Sequence, residues 1–416
     1  MKRDPAFDLA VVGGGIMGCT LALHAARAGM RVVLFERGRL CGEASSRNAG
    51  GLTMSDKGPE LLPYALRGRA IRETEPEWQA VDTGYRKTGG LLLAFTDEEA
   101  EELEGTARVR RDAGAPVELV SAGRAREIEP GLSSNVKLAT YCALDGFADS
   151  TLTGLVFRTA LREIGVHVYE PVEVTRIERE GSGFVVLTAG KDFVAANRIA
   201  LAGGVWLPAM ARWFGIELPI VCDIKQQIVT ERMPPIVRTI IRAANRRLSL
   251  KQTQSGALVM GGGWGGVGSL EDNRFELLAD NIVGHLRMAH MAIPAVARAR
   301  VARSWIGLEA VIRDRKPVAG PLTGVENAFI IGAVWGGYTI GPYMARLLGD
   351  LIMGREPELP LYDPARLYPP SSPDRRRQQP PVQPDRGLMT GLPSVGSFER
   401  GSTMTGISGN ITEKNR

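Results

Sequence analysis

The stretch that decides the fold is DLAVVGGGIMGCTLALHAARAGMRVVLFER, residues 8–37. Its residues 9–12 predict a buried strand, residues 19–28 predict a helix rich in small side chains, and residues 31–35 predict a second strand. Between the first strand and the helix, Gly13 permits a tight turn, Gly15 lets the backbone approach a pyrophosphate, and Gly18 lets helix and strand pack closely. This order of elements predicts a site where the N-terminus of a helix binds the phosphates of a dinucleotide.

A carboxylate stands at the end of the second strand, about 20 residues beyond the glycines. Glu36 can accept hydrogen bonds from ribose hydroxyls, and its charge disfavours a 2′-phosphate. A glycine-rich turn without a ligand is the alternative, but the strand, the helix and the acid all stand where a dinucleotide site needs them. These residues leave the choice between FAD and NAD open.

Composition excludes several other classes of protein. The chain has 416 residues, a formal net charge of +5 with mixed signs, four scattered cysteines and four histidines. Nucleic-acid binding, a disulfide framework and a metal site are therefore not expected. No apolar run reaches transmembrane length and no signal peptide precedes the first strand, so we expect a cytoplasmic protein without an integral membrane segment.

A second glycine-rich segment, CGEASSRNAGGL, occupies residues 41–52. Its hydroxyls and backbone amides can wrap phosphates or a planar ring, and a solvated loop is the alternative. Because the segment directly follows the second strand, it lies beside the phosphate turn. That position favours the ligand-binding interpretation.

Helix and strand signals continue along the chain. Residues 96–113 predict a helix capped by Thr96, Ser121 caps another, and residues 150–164 predict an amphipathic helix. Short strands are predicted between residues 166 and 204, and alternating segments between 216 and 263 predict a mixed or antiparallel sheet with a helix across it at 273–292. Strands at 300–307 and 328–331 lead to a predicted helix at 343–353, with Pro342 as its first residue.

These elements predict an α/β fold with a Rossmann-like nucleotide-binding domain and an inserted substrate domain built on a mixed or antiparallel sheet. We assign residues 1–90, 145–215 and 300–366 to the first domain, and residues 91–144 and 216–299 to the second. Residues 369–416 are rich in Pro, Ser, Arg, Gln and Gly and predict a disordered tail, with a partner-binding segment as the alternative.

The motifs together resemble the FAD-dependent D-amino acid oxidase family, which includes glycine oxidase and sarcosine oxidase. They are VVGGGIMG with Glu36, ASSRNAGGL, DGFADSTL, LAGGVW, WIGLEAVIRDRKPVAGP, GAVWGGYTIGP and DPARLY, and they span nearly all of residues 8–366. Through SSRNAGGL and LKQTQSGALVMGGG the chain is most similar to the FAD-carrying subunits of opine oxidase, hydroxyproline dehydrogenase and hydrogen cyanide synthase type enzymes. The second glycine-rich turn, near residue 336, favours FAD over NAD.

The resemblance implies FAD held by both ends of the chain. Val174 would flank the adenine, residues 202–204 would pass beneath the pyrophosphate, and amides of residues 336–340 would stabilise negative charge at flavin N1 and the C2 carbonyl. Noncovalent FAD is expected, because no cysteine lies near that last turn, where some sarcosine oxidases tether their flavin. The expected FAD-contacting residues are Gly13, Gly15, Ile16, Met17, Gly18, Glu36, Arg37, Ser45, Ser46, Arg47, Asn48, Ala49, Gly50, Gly51, Leu52, Val174, Ala202, Gly203, Gly204, Trp206, Gly332, Gly336, Gly337, Tyr338, Thr339 and Ile340.

The family reaction transfers a hydride from the carbon bearing an amine to flavin N5, which leaves an imine that water hydrolyses. Glycine and D-amino acid oxidases usually place an arginine after W-x-G-L to hold the substrate carboxylate. This chain has Glu309 there, and Trp335 stands where a second arginine is usual. We take Glu309, Trp335 and Tyr338 as the candidate catalytic residues.

Two roles are open for Glu309. It can favour a cationic or hydroxyl-bearing substrate group, with Arg313 or Arg47 taking over the carboxylate, or it can simply pair with Arg313, Arg315 or Lys316. In the first case the protein oxidises the C–N bond of an amino acid, imino acid or opine as one subunit of a dehydrogenase complex. The alternative is a flavin-binding electron-relay or structural subunit with a degenerate pocket. An unrelated NAD enzyme does not explain the motif at residues 332–342.

Overall fold

A computed structural model describes residues 7–190, 193–245 and 247–368. The strands, numbered in chain order, are β1 (Phe7–Val12), β2 (Val32–Phe35), β3 (Gly51–Leu52), β4 (Gly90–Ala94), β5 (Val117–Ser121), β6 (Leu138–Cys142), β7 (Gly146–Phe147), β8 (His167–Tyr169), β9 (Val174–Glu180), β10 (Gly183–Thr188), β11 (Phe193–Leu201), β12 (Ile220–Arg232), β13 (Ile240–Ala243), β14 (Ser249–Gln252), β15 (Ala257–Gly261), β16 (Val267–Ser269), β17 (Arg274–Glu276), β18 (Val301–Ile312), β19 (Val318–Pro321) and β20 (Ala328–Gly332). The helices are α1 (Ile16–Arg27), α2 (Ala44–Arg47), α3 (Leu62–Thr74), α4 (Pro76–Gln79), α5 (Asp97–Asp112), α6 (Ala122–Ile128), α7 (Thr153–Glu163), α8 (Leu207–Ala211), α9 (Ala279–Ala292) and α10 (Gly337–Ile352). The predicted tail, residues 369–416, lies outside the described residues.

The first sheet has the strand order β19–β20–β11–β1–β2–β8 and is parallel from β20 to β8. Leu9 and Val11 of β1 pack in the core shared with α1 and α10, whereas Ala10 and Val12 pack on the other face with residues of β9 and β10. Both faces of the central strand are buried, which explains its continuous apolar run. The predicted Rossmann-like architecture is confirmed.

The second sheet has the order β18–β12–β15–β14–β13–β4–β6–β5 and is antiparallel except where β13 pairs with β4. One of its faces carries Ile228, Leu250 and Met260 into a core with Ala289 and Ala292 of α9. Strand β18 pairs along most of its length with β12, so it belongs to this sheet although the expected boundary at residue 300 put it in the first domain. The division into two domains stays a prediction.

Two of the predicted helix starts agree with the structure, and a third does not. Thr96 and Ser121 cap α5 and α6 by accepting hydrogen bonds from the backbone N–H of Glu99 and Arg124, both at 3.2 Å, which confirms both predicted caps. The helix predicted at 273–292 begins only at Ala279, because β17 pairs with β16. Within the described residues, no helix combines the length and the apolar character needed to cross a membrane.

The last helix begins earlier than predicted. Helix α10 starts at Gly337 and carries Pro342 inside it, so the expectation that Pro342 would be its first residue is wrong. Proline has no N–H, which deprives the Tyr338 carbonyl of its partner four residues on. The guanidinium of Arg72 donates to that carbonyl at 2.8 Å, while it stacks on the ring of Trp78 at 3.4 Å. A tertiary contact therefore replaces the missing helical hydrogen bond.

Because Arg72 supplies the donor that Pro342 lacks, we expect mutations of these two residues to have coupled effects on stability. Replacing Arg72 with Met should lower the free energy of unfolding by about 1–3 kcal/mol, because the buried Tyr338 carbonyl loses its donor. In a Pro342→Ala background the backbone N–H of residue 342 can satisfy that carbonyl, so the same replacement should cost about 1 kcal/mol less. Denaturant unfolding of the four proteins measures the coupling, and strictly additive effects would contradict it.

Candidate active site

The carboxyl ends of four parallel strands meet at one edge of the first sheet. Gly13, Glu36 and Ala202 directly follow β1, β2 and β11, and Gly332 is the last residue of β20. In open α/β sheets, ligands bind outside this edge. The structure therefore brings together sequence-predicted residues that are up to 319 positions apart, from Gly13 to Gly332.

The phosphate turn leaves no room for side chains at two of its glycines. Gly13 has φ of +114°, and a Cβ there would lie 2.5 Å from the carbonyl oxygen of Ala202. A Cβ on Gly18 would lie 1.9 Å from the carbonyl oxygen of Gly13, so helix α1 sits directly on the turn. A Cβ on Gly15 would meet only the Ser45 hydroxyl, at 3.4 Å. The backbone at Gly15 is thus the accessible part of the turn.

Glu36 lies beside this turn. Its carboxylate accepts hydrogen bonds from the N–H groups of Gly14 at 2.8 Å and Gly38 at 2.7 Å. Its backbone carbonyl accepts from the N–H of Val172 at 2.8 Å, which brings the segment leading into Val174 to the same place. The acid is therefore fixed beside the phosphate turn at the start of α1.

The segment at residues 41–52 is held by the protein rather than solvated. The Ser45 hydroxyl accepts from the N–H of Ile16 at 2.9 Å at the start of α1, and the Asn48 side chain accepts from the N–H of Gly50 at 2.7 Å. Ser46 donates its hydroxyl hydrogen bond to the Cys41 carbonyl. A Cβ on Gly50, which has φ of +70°, would lie 2.0 Å from the Ala148 carbonyl oxygen. These contacts set the path of the segment past the phosphate turn.

Helix α10 runs parallel to α1, with its N-terminus at the same edge. A Cβ on Gly341 would lie 2.9 Å from Cγ of Met17, and a Cβ on Gly349 would lie 2.7 Å from the ring of His24. Residue numbers increase from the first contact to the second along both helices, so α1 and α10 run in the same direction and pack closely. Ile340 is fully buried beside them, and the hydroxyl of Thr339 donates to the Gly51 carbonyl at 3.2 Å. Two helix N-termini therefore converge at this edge.

Three further residues that were expected to contact FAD lie just after β11, namely Gly203, Gly204 and Trp206. Gly203 leads into a short 3₁₀ turn, Gly204–Trp206, and its backbone nitrogen lies 3.0 Å from the position of a Cβ on Gly13. The ring of Trp206 stacks under the guanidinium of Arg37 at 3.8 Å. Both residues line an open cavity of about 570 Å³ between the sheet edge and β18.

The second sheet covers this edge with one face, here called the inner face. Because side chains alternate along a strand and Ile228, Ile241, Leu250 and Met260 point into the α9 core, their neighbours point the other way. The inner face carries Asp223, Lys225, Gln227, Arg242, Lys251, Gly261, Gly307 and Glu309. A Cβ on Gly261 would lie 3.2 Å from Cβ of Ala49, and one on Gly307 would lie 2.9 Å from the Arg47 carbonyl oxygen. The inner face therefore lies against residues 47–51.

Glu309 lies half-buried on the inner face, opposite Asp223. Burial raises the pKa of its carboxyl above the usual value, and the negative charge of Asp223 adds to the rise, while Lys225, Lys57 and Arg242 oppose it. Arg313, Arg315 and Lys316 are exposed, and none of them forms an ion pair with Glu309 in the described part of the chain. The expectation that Glu309 simply pairs with them is wrong.

The other two candidate catalytic residues differ in position. Trp335 lines a recess together with Asp56, Arg110 and Arg242. Tyr338 is only 7% exposed, and its hydroxyl accepts from Thr153 at 3.3 Å while its ring lies under Arg72. Because α10 already begins at Gly337, the side chain of residue 338 points back into the core. Its backbone, and not its ring, faces the edge where a ligand would bind.

Sequence reasoning missed a buried polar cluster that consists of Thr53, Asp56, Lys57 and Arg242. Asp56 lies 2.6 Å from Arg242 and 2.9 Å from Lys57, and Thr53 donates to it at 2.7 Å. Burial alone would raise the pKa of Asp56, but the charges of Arg242 and Lys57 outweigh it and hold that pKa well below the usual range. The signal was the segment TMSDKG, which brings charged residues directly after the glycines of AGGL.

Lys251 was missed as well. It is 3% exposed, its Nζ makes no hydrogen bond within the described residues, and burial, together with the charge of Arg242 and against that of Asp149, lowers its pKa to about 7. The side-chain oxygen of Gln227 is likewise buried without a partner among the residues that the structure describes. Unpaired polar groups at an inner face, next to a glycine cradle, fit a site built for a polar ligand.

The sequence profile of the family described as "DAO: FAD dependent oxidoreductase" matches residues 8–351. The chain belongs to the DAO family. Its resemblance to that family, inferred from the motifs, is confirmed, and so is FAD rather than NAD as the cofactor. The protein is accordingly an FAD-dependent oxidoreductase.

Individual proteins align with this chain along most of their length. The chain is 29% identical over 361 residues to the glycine oxidase of Geobacillus kaustophilus, an alignment that covers 84% of this chain and 94% of the relative. It is 24% identical over 359 residues to an opine oxidase subunit of Rhizobium meliloti, an alignment that covers 83% of this chain and 93% of the relative. The crystal structure of L-proline dehydrogenase from P. horikoshii superposes with a TM-score of 0.81 at 22% identity, covering 88% of this chain and 98% of that one, and supports the fold alone.

The position of Glu36 in this DAO-family protein predicts its contribution to FAD affinity. Replacing Glu36 with Gln removes a charged acceptor, and a charge-assisted hydrogen bond is worth about 1.5–3 kcal/mol, so FAD should bind about 10–100-fold more weakly. Titration of apoprotein with FAD, followed by flavin fluorescence, measures the change. Glu163→Gln, which changes an exposed acid at the end of α7, is the matched control and should bind FAD normally. Equal affinities of both variants would contradict the assignment.

Proposed function

We propose that the protein oxidises the C–N bond of an amino acid, imino acid or opine, with the hydride passing to flavin N5. The observation that carries this proposal is an acid, Glu309, on the inner face above the sheet edge where the FAD-binding motifs converge. FAD supplies the hydride acceptor. The relatives named above, a glycine oxidase and an opine oxidase subunit, support an amine-bearing substrate.

Glu309 has two properties that suit an amine substrate. Its negative charge attracts a substrate ammonium group, and its raised pKa makes it a better proton acceptor than an ordinary glutamate. The carbon bearing the amine loses hydride only after the nitrogen has lost its extra proton. We therefore assign to Glu309 both the binding of the ammonium group and the acceptance of its proton by a carboxylate oxygen. Water then hydrolyses the resulting imine.

The remaining residues divide into cofactor and substrate roles. The convergent N-termini of α1 and α10 suit a diphosphate and the negative charge that reduction leaves at flavin N1 and the C2 carbonyl. We assign the predicted FAD contacts to the turns at 13–18 and 336–340 and the segment at 45–52, with Tyr338 acting through its backbone. Trp335 is assigned to the wall of the substrate pocket, and FAD is held noncovalently.

We also propose that the first sheet with its helices forms the FAD domain and the second sheet the substrate domain. A role as one subunit of a dehydrogenase complex is supported by the likeness to the opine oxidase subunit of Rhizobium meliloti. The rival role, an electron-relay subunit with a degenerate pocket, draws support from the missing carboxylate arginines. The charged side chains on the inner face weigh against it, since a degenerate pocket has no need for buried charges.

Anaerobic mixing of the yellow protein with amino acids, imino acids and opines tests the proposal. At least one of them should bleach the flavin band, and Glu309→Gln should slow the bleaching about 100-fold, within the range for loss of a general base. The exposed Asp314, at the end of β18, provides the matched control Asp314→Asn, which should react like the parent protein. A panel that leaves the band unchanged, while a partner protein reduces it, would favour the relay.

The same experiment predicts a pH dependence. Protonated Glu309 cannot accept the substrate proton, so the bleaching rate should rise as pH passes upward through its pKa, which burial raises above the usual value of a glutamate. Glu309→Gln should lack this rise, although both proteins keep any later rise from deprotonation of the substrate itself. Stopped-flow measurement at several pH values makes the comparison. An identical pH profile in both proteins would remove Glu309 from the proton transfer.

A further inference from the structure

We propose that Arg242 and Lys57 bind the carboxylate of the substrate and so replace the arginine that is missing after W-x-G-L. This proposal rests on the proposed function, because it names the substrate class of the same site. The pocket then has negative and positive groups in an arrangement that complements a zwitterionic amino or imino acid. The ammonium group would lie at Glu309 and the carboxylate at the two cations.

The cluster has more positive than negative charge. Asp56 pairs with Arg242 at 2.6 Å and with Lys57 at 2.9 Å, and so one carboxylate serves two cations. The side chains of Lys57 and Asp56 are only 3% and 9% exposed. Asp145, a buried acid near Asp56, is engaged by the N–H of Met54 and the hydroxyl of Ser55, and burial raises its pKa. A buried excess positive charge favours an incoming anion.

Negative charge lies elsewhere on the inner face, at Glu309. Lys57 and Arg242 are close enough to lower the pKa of Glu309, yet neither forms an ion pair with it among the described residues. Lys225, the other inner-face cation near Glu309, is already paired with Asp223. The site is therefore polarised, because Glu309 forms no ion pair among the described residues while the two cations share a single carboxylate. A zwitterion can satisfy both sides at once.

Both cations border the loops assigned to FAD. A Cβ built on Gly51 would lie 3.9 Å from Nη1 of Arg242. A Cβ built on Gly336 would lie 2.7 Å from Cε of Lys57. The Lys57 ammonium also lies 5.3 Å from the ring centre of Trp335. A carboxylate bound between the cations would thus lie next to both glycine-rich segments.

The two arginines considered from sequence alone do not share this position. Arg313 is exposed at the end of β18. Arg47 is exposed, pairs with Glu43 at 3.4 Å and donates weakly to the Ile306 carbonyl at 3.5 Å. Neither lies in the buried cluster, so Arg242 and Lys57 are the better candidates for the carboxylate.

Titration of the FAD-loaded protein with acetate and benzoate, followed by changes in the flavin absorption spectrum, tests carboxylate binding without turnover. Arg242→Gln should bind both anions at least tenfold more weakly. Asp56→Asn should bind them several-fold more tightly, because it removes the internal carboxylate that competes for the cations. Arg313→Gln is the matched control and should behave like the parent protein. Weaker anion binding by Asp56→Asn, or unchanged binding by Arg242→Gln, would overturn the proposal.

A second measurement uses an amino acid that bleaches the flavin and its primary amide, which has no carboxylate. The parent protein should prefer the acid, and Arg242→Gln should lose at least tenfold of its reactivity with the acid but less than threefold with the amide. An equal loss with both would mean a structural role for Arg242 and would overturn the proposal. If no amine reduces the flavin, the proposed function fails, but the anion titration still decides the role of the cations. If Arg242→Gln does not retain FAD, the anion affinity of Asp56→Asn alone tests the proposal.

Discussion

The close contact between α1 and α10 is the constraint on which the rest of the structure depends. Gly341 lies against the side chain of Met17 and Gly349 against the ring of His24, so at these points only α1 contributes a side chain to the contact. Helices that pack this closely and run parallel present their positive ends together. Segments from opposite ends of the chain thereby form one site, and the diphosphate and the flavin ring can be served by separate helix N-termini.

The register of the second sheet determines which charges face that site. Strand β18 pairs with β12 so that Glu309 lies opposite Asp223, and the alternation of side chains puts both on the inner face. A slip of one residue would turn Glu309 toward the opposite face and bring Leu308 inward. The shared face of Glu309 and Arg242, on which the proposed polarity of the pocket depends, is thus a consequence of strand pairing.

Local sequence signals were sufficient for the elements whose chemistry is local. Residues 8–37 predicted the first strand, turn, helix and second strand, and Thr96 and Ser121 marked their helix starts. The prediction that Pro342 begins the last helix was wrong because its position inside that helix depends on Arg72, 270 residues away in sequence. Arg72 supplies the donor that proline removes. The same applies to β18, whose place in the second sheet depends on its pairing with β12.

The candidate site was predictable where a motif carried it and not where tertiary packing assembled it. Glu309 stood out because it interrupts a known pattern, whereas Arg242 and Lys57 belong to different segments that meet through Asp56 and Thr53. Tyr338 looked like a catalytic residue in the sequence, but the early start of α10 turns its ring into the core. A one-dimensional pattern does not show these directions.

A crystal structure of the FAD complex tests the central claim most directly. We predict the diphosphate over the N-terminus of α1 at Gly15 and Ile16, and the pyrimidine end of the flavin ring at the N-terminus of α10, within hydrogen-bonding distance of the amides at Gly337 or Tyr338. A flavin ring bound away from α10, with that helix N-terminus facing only protein or solvent, would contradict the claim.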